Sequence, residues 1–171
     1  GNVIAKIGND ESKPTVLLDA HIDQIGLIVT YIDDNGFLKV GNVGGVDRRL
    51  LLAQEVTVHS KTPLYGVICS KPPHLEKPEE SKKAPEIDAI AIDVGLSKDD
   101  ASEIICLGDR VTLNSKPTEL LNNRVSSSAL DDRSGVTSIL YALELMKGNY
   151  PCNIVVQFTA QEELGGRGAK I

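Results

Sequence analysis

Two adjacent carboxylates directly follow an apolar stretch near the end of the sequence. Glu162 and Glu163 come after residues 153–158, whose Ile-Val-Val centre is typical of a strand buried on both faces. Open α/β sheets bind ligands beyond the carboxyl ends of their strands. Adjacent residues at a strand end point apart, so one carboxylate can bind a metal ion while the other takes a proton from water. The pair is a candidate catalytic site, although two solvated glutamates without function are commoner.

A histidine and three aspartates occur in comparable positions. His21 and Asp23 follow an earlier apolar stretch, and Asp131 and Asp132 precede a helical pattern. A metal-binding imidazole usually donates its second ring N–H to an oxygen acceptor, a role that Asp23 can fill. One of the two later aspartates is enough to cap the helix, which leaves the other free to bridge two metal ions. Taken alone, each of these groups has a simpler explanation, as a chance combination or as a helix cap.

The other histidines and the cysteines are not predicted to bind metal. His59 lies in a strand-like segment, and His74 lies in the proline-rich, charged segment 71–85, which is typical of a mobile surface loop. The cysteines are odd in number and lack CxxC spacing, so buried free thiols are expected rather than a disulfide framework. They are Cys69, Cys106 and Cys152.

Composition excludes several classes of function. The chain has 171 residues, of which 41% are hydrophobic and 25% are charged, as in a soluble globular protein of one domain or two small ones. A net charge of −6 argues against nucleic acid as the main partner. There is no long apolar span and no basic leader, so neither a membrane helix nor a secretory signal is predicted. A cytoplasmic location is therefore expected.

The elements that must position these residues alternate between strands and helices. The helix predicted at 98–106 has Ser97 as its N-cap, and the helix at 134–147 has apolar residues at i, i+3, i+4 and i+7. Because the second helix precedes the buried strand at 153–158, an α/β unit is indicated. Asn35-Gly36 predicts a hairpin. The remaining strands are predicted at 3–7, 16–18, 25–32, 37–40, 55–59, 65–69, 89–93 and 110–114.

Several motifs, in one order along nearly the whole chain, resemble the M42 family of metallo-aminopeptidases, and most closely its archaeal tetrahedral members. The longest is AHIDQIGLIV at 20–29, and the most informative are ALDDR at 129–133 and QEE at 161–163. The other matching segments are 35–38, 43–47, 71–74, 92–95 and 167–169.

The resemblance implies a role for each candidate residue. It implies that His21 and Glu163 are metal ligands, that Asp131 bridges two metal ions, that Glu162 is the general base and that Asp23 orients His21. The implied cofactors are two divalent ions, zinc or cobalt, and the implied reaction is hydrolysis of N-terminal residues from short peptides through a water activated by both ions. Neither the metal nor the preferred N-terminal residue can be read from the sequence.

The resemblance also implies an architecture. Residues 1–45 and 116–171 would form an α/β catalytic domain. This domain would be an open sheet with flanking helices, of the phosphorylase/hydrolase-like metallopeptidase type. It would be incomplete and interrupted at 46–115 by a small β-barrel-like domain. In the family such a domain makes dimer contacts and helps to build a hollow tetrahedral dodecamer, so self-association is expected.

We expect the chain to be truncated at both ends, because family members continue far beyond the position of Glu163 and carry further Asp and His ligands there. His21, Asp131 and Glu163 alone can hold at most one ion well, which leaves open whether this chain is active by itself. One alternative is a non-catalytic truncated chain that serves as an assembly or interaction module. Another is a related metal-dependent deacylase. An incomplete sheet would also expose an edge and an apolar face.

Overall fold

The computed structural model describes residues 1–75 and 83–170. The strands are β1 (Val3–Ile7), β2 (Thr15–His21), β3 (Gly26–Ile32), β4 (Leu38–Val43), β5 (Glu55–His59), β6 (Leu64–Ser70), β7 (Ile90–Asp93), β8 (Arg110–Leu113), β9 (Thr118–Leu120), β10 (Arg124–Ser126) and β11 (Asn153–Thr159). The helices are α1 (Lys98–Ile104) and α2 (Leu130–Met146). Single 3₁₀ turns occur at Arg48–Leu50, Pro73–Leu75, Ile87–Ala89 and Gly168–Lys170.

The chain divides into two compact units. The first comprises Gly1–Gln24 and Pro117–Ile171, and the second comprises Ile25–Lys116. The inserted module was predicted to begin at residue 46, whereas the second unit begins at Ile25, because β3 and β4 are hydrogen-bonded within its barrel. The assignment of the units as catalytic and oligomerisation domains stays a prediction.

The first unit is built on a three-stranded sheet in the order β1-β11-β2. β11 is antiparallel to β1 and parallel to β2, and α2 packs against β2. In the parallel pair, Thr159 lies opposite His21, so the carboxyl ends of both strands lie at the same end of the sheet. The predicted strand at 153–158 is therefore central, as its apolar sequence indicates. Val3, Ile4, Val16 and Leu17 are exposed apolar side chains on the two outer strands.

The second unit is a closed six-stranded barrel in the order β3-β4-β7-β6-β5-β8. Successive residues of a strand face opposite sides, so alternate side chains fill the interior. Val56 and Val58 are fully buried whereas Thr57 between them is not. The other large side chains of this core that are fully buried are Leu27, Val29, Leu38, Leu51, Ile68, Ile90, Ile92 and Val111. The predicted β-barrel-like module is thus confirmed.

Local signals account for the turns of the barrel. The predicted hairpin joins β3 to β4, with Gly36 at φ +86° and the Asp33 carboxylate accepting hydrogen bonds from the N–H groups of Asn35 and Phe37. Ser97 caps α1 as predicted, because its hydroxyl accepts a hydrogen bond from the N–H of Asp100 at 3.2 Å.

The predicted burial of all three cysteines is wrong for one of them. Cys69 and Cys152 are half-buried free thiols, but Cys106 is exposed, because it lies in the turn after α1 where its N–H binds the Asp109 carboxylate. Residues 76–82 of the predicted loop at 71–85 lie outside the described residues. Within the described parts of the chain, neither helix has the length and apolar character needed to cross a bilayer.

Candidate metal centre

The carboxyl ends of β2 and β11 place a histidine beside the glutamate pair. His21 is the last residue of β2 and is only 7% exposed. The N–H of Ile22 donates to the Thr159 carbonyl at 2.8 Å, which continues the pairing of the two strands to their ends. Gln161 then takes a positive φ of 62°, and this turn brings Glu162 and Glu163 back over the strand ends.

Four of the predicted site residues lie close together: the His21 imidazole and the carboxylates of Asp131, Glu162 and Glu163. Nε2 lies 2.9 Å from Asp131 Oδ1 and 3.8 Å from Glu162 Oε2. One potential ligand atom from each of His21, Glu162 and Glu163 lies within 4.8 Å of the other two. Residues separated by more than a hundred positions in the sequence therefore present an imidazole and three carboxylates at one point. His59 and His74 are not part of this group.

Asp23 contacts both the histidine and the glutamate pair. Its main-chain carbonyl lies 3.1 Å from His21 Nδ1, whereas its carboxylate is 3.5 Å from the same nitrogen. The carboxylate instead accepts hydrogen bonds from the N–H groups of Glu162 and Glu163, at 3.1 and 3.2 Å. Thus the carbonyl is the nearer acceptor for the imidazole, and the side chain of Asp23 holds the backbone of the two glutamates.

The two aspartates at the start of α2 have separate partners. Asp132 Oδ1 accepts a hydrogen bond from the N–H of Gly135 at 3.0 Å, which is the geometry of a helix cap. Asp131 has φ −87° and ψ 107°, so it precedes the regular helix, and its side chain points to His21. A side chain at Gly135 would run into the Asp132 carboxylate. The residue pattern predicted one capping acid and one acid free for the site, and the resemblance named Asp131 as the acid at the site, whose role as a metal ligand stays a prediction.

Burial and contacts with neighbouring groups shift the pKa values of His21 and Glu163. Burial of the His21 imidazole disfavours its charged form, but the Asp131 carboxylate and the Asp23 carbonyl outweigh this effect and raise its pKa above 6.5. Burial raises the pKa of Glu163, and the attraction of His21 opposes this effect while repulsion from Glu162, Asp131 and Asp23 adds to it. The contacts that raise the pKa of His21, and part of the effect on Glu163, come from negative groups gathered at one point, whose mutual repulsion a bound cation would relieve.

This donor set fits a divalent metal ion. Imidazole and carboxylate ligands suit zinc and related borderline ions, and three converging protein ligands leave a coordination position open for water or substrate. The His21 imidazole already has an acceptor at Nδ1, so Nε2 is the nitrogen that faces the carboxylates. Such an acceptor fixes the ring orientation of a ligating histidine.

One residue in contact with this region was missed by the sequence analysis. The side chain of Asn2 bonds to Ala160 and Gly168, on either side of the glutamate pair. These partners are 158 and 166 residues away in the sequence. A single asparagine near the start of a strand carries no pattern that could have predicted them.

Comparisons with known proteins show which family the chain resembles. The profile of a family described as M42 glutamyl aminopeptidase matches residues 1–171. The lysyl aminopeptidase of Pyrococcus furiosus is 34% identical over an alignment of 175 positions, which covers 100% of this chain and 50% of that relative.

Solved structures show the same fold. Aminopeptidase APDkam598 from the archaeon Desulfurococcus kamchatkensis has a TM-score of 0.90 and 38% identity, covering 99% of this chain and 46% of that chain. The TET1 peptidase of Pyrococcus horikoshii, which can assemble into a tetrahedron or a large octahedral shell, has a TM-score of 0.86 and 38% identity, over 99% and 52% of the respective chains. The chain therefore spans about half the length of the relatives it matches.

Proposed function

The chain belongs to the M42 family of peptidases, and from that premise we propose that the protein is a metal-dependent aminopeptidase that releases N-terminal residues from short peptides. The observation that carries this proposal is the convergence of His21, Glu162 and Glu163 at the carboxyl ends of two parallel strands. Asp131 adds a fourth donor from the start of α2.

In this proposal His21, Asp131 and Glu163 would hold the metal, and Asp131 would also serve a second ion. Zinc and cobalt both suit the donor set. A bound ion supplies Lewis-acid polarisation of the scissile carbonyl and lowers the pKa of water. The Asp23 main-chain carbonyl lies beside Nδ1 and the Asp131 carboxylate beside Nε2, so the ring is already oriented with Nε2 toward the carboxylates, and Nε2 would bind a metal ion in its unprotonated form.

Glu162 is the proposed general base. Its side chain is 51% exposed, so it can reach a water molecule at the open side of the group, while Glu163 lies deeper. During hydrolysis the water oxygen forms a bond to the carbonyl carbon, the C–N bond breaks, and the proton passes from water through the Glu162 carboxylate to the leaving amine. Asp23 keeps the backbone of Glu162 in place during this transfer.

Self-association is proposed for the barrel unit. It exposes large apolar side chains, among them Tyr31, Tyr65 and Leu107, and such side chains favour contact with another protein surface. The related TET1 peptidase of Pyrococcus horikoshii assembles into closed shells. We therefore propose dimer contacts through the barrel and assembly into a tetrahedral dodecamer in the cytoplasm.

Paired substrates test the reaction class. The protein loaded with Zn²⁺ or Co²⁺ is assayed on aminoacyl chromogenic substrates with a free amine and on the same substrates with an acylated amine. An aminopeptidase cleaves only the first set, a deacylase releases the acyl group from the second, and a non-catalytic module cleaves neither. Cleavage of the acylated set alone, or of neither set, would rule the proposal out.

The base is tested by Glu162→Gln, which keeps the shape of the side chain and removes its ability to accept a proton. We expect kcat to fall by roughly 10²–10⁴-fold with metal content unchanged. The matched control is Glu11→Gln, at an exposed position in the turn before β2. An equal loss in both variants, or no loss in the first, would remove Glu162 from the mechanism.

A further inference from the structure

The segment that carries the glutamate pair is closed at its base by one side chain. We call residues 160–168 the acidic loop, because it contains Glu162 and Glu163. Asn2 Oδ1 accepts a hydrogen bond from the N–H of Ala160 at 3.0 Å, and Asn2 Nδ2 donates to the Gly168 carbonyl at 2.7 Å. One carboxamide thus uses its acceptor on the residue that begins the loop and its donor on the residue that ends it.

The two ends of the loop fit closely around this side chain. An added Cβ at Gly168 would meet the Ala160 carbonyl and would lie 2.6 Å from Asn2 Oδ1. Only glycine allows the two backbone segments and the carboxamide to approach this closely. We call the two hydrogen bonds of the Asn2 carboxamide the bridge. It joins Ala160, Gly168 and Asn2 in close contact, and Asn2 itself is partly buried.

The tip of the loop is held separately. The Asp23 carboxylate accepts the N–H groups of Glu162 and Glu163, and the loop closes on itself where the N–H groups of Gly165 and Gly166 donate to the Glu162 carbonyl. With the tip tied to Asp23, which follows β2, and the base tied to Asn2, which precedes β1, the loop cannot shift as a whole without breaking contacts at both places. The positions of both glutamate carboxylates relative to His21 depend on these contacts.

We propose that Asn2 is a positioning residue, which fixes the acidic loop and thereby sets the distance of Glu162 and Glu163 from the His21 imidazole. It touches neither metal nor substrate. The anchoring of the loop stands on the hydrogen bonds alone, whereas its consequence for metal binding rests on the proposed function.

Two substitutions separate the contributions of the bridge. Asn2→Asp keeps the shape and the acceptor for Ala160 but places a carboxylate oxygen against the Gly168 carbonyl. Asn2→Ala removes both hydrogen bonds and, unlike Asn2→Asp, adds no charge. The matched controls are Asn9→Asp and Asn9→Ala, because Asn9 is an exposed asparagine beyond the other end of β1.

Residue-resolved amide hydrogen exchange and Zn²⁺ titration calorimetry measure the effects. We expect exchange at 160–168 to rise by roughly tenfold in both Asn2 variants, with the Ala160 amide most affected, while exchange in α2 and the barrel stays at the control value. Zn²⁺ should bind about 10–100-fold more weakly, as is usual when a group that orients metal ligands is lost. Glu162 and Glu163 would still be present in the variants, so the loss would report their position.

Three results would overturn the proposal. The first is unchanged exchange in the acidic loop, and the second is faster exchange spread evenly over the first unit, which would indicate general destabilisation. The third is a mobile loop with unchanged Zn²⁺ affinity, because the bridge would then not position the ligands. If the unsubstituted protein binds no Zn²⁺, the proposed function fails, and the exchange rates still decide whether Asn2 anchors the loop.

Discussion

A methyl group at position 168 should disturb the candidate site from a distance. In Gly168→Ala the new Cβ would lie 2.6 Å from Asn2 Oδ1 and 3.0 Å from the Ala160 nitrogen, and it would also strike the Ala160 carbonyl. A backbone carbonyl cannot rotate away as a side chain can. Ala160 follows β11 directly, and β11 is paired on both edges, so the acidic loop is the part that must move.

The magnitude follows from the cost of overpacking. A methyl group forced into a filled space costs about 1–3 kcal/mol, and the lower backbone entropy of alanine in the unfolded chain returns about 0.4–1 kcal/mol. The midpoints of these two ranges leave a net loss of about 1.3 kcal/mol, which corresponds to a factor of roughly 9 in an equilibrium constant. If the loop relieves the strain by opening, the Zn²⁺ dissociation constant rises by up to that factor, because the binding-competent population falls.

The strain can open the acidic loop or lower the stability of the whole folded protein. Zn²⁺ titration calorimetry and thermal unfolding of the metal-free protein distinguish these two effects. A weaker affinity with a nearly unchanged midpoint means that the loop opens. The control is Gly45→Ala, where an added Cβ meets nothing within 4 Å. If Gly168→Ala matches that control in both measurements, the close fit at the base of the loop does not constrain the site, and the argument is wrong.

Two further predictions concern the barrel and the pH dependence of the site. Leu38→Ala should lower the free energy of unfolding by about 2–5 kcal/mol in a denaturant titration, since the side chain is fully buried, whereas Leu50→Ala at an exposed position should change it by less than about 0.5 kcal/mol. Equal effects would contradict the assigned core. Zn²⁺ affinity should fall as pH falls, because protons compete for the ligands. The decline should begin above the ordinary pKa of histidine, since, against the effect of burial, the Asp131 carboxylate and the Asp23 carbonyl raise the pKa of His21. Calorimetry between about pH 8 and pH 5 checks this, and a flat profile would exclude His21 as a ligand.

Local chemistry explains why much of the fold could be predicted. The Asn35-Gly36 turn, the Ser97 cap and the apolar periodicity before Gly148 each act within a few residues, so their signals are complete in a short window of sequence. The candidate site was predictable for a different reason. Polar residues that directly follow apolar strands collect at one edge of a parallel sheet, wherever they lie in the sequence.

Contacts between distant segments were not predictable in the same way. β3 reads as one half of a local hairpin, yet it also pairs with β8, where Leu27 lies opposite Val111, and this second pairing includes it in the barrel. Nothing near Leu27 distinguishes a strand of a barrel from a strand of an open sheet. The exposure of Cys106 likewise depends on the turn between α1 and β8, rather than on the apolar residues beside it.

Adjacent acids at this site divide structural and chemical work between them. Asp132 satisfies a free N–H of α2, and this bond fixes the start of the helix from which Asp131 reaches His21. In the glutamate pair the backbone N–H groups take the structural role by binding Asp23, which leaves both side chains free. A carboxylate on a mobile backbone loses more conformational entropy when it binds a metal ion than a carboxylate on a fixed backbone does. The contacts of Asp23 and Asp132 are therefore as much a part of the proposed centre as the ligands.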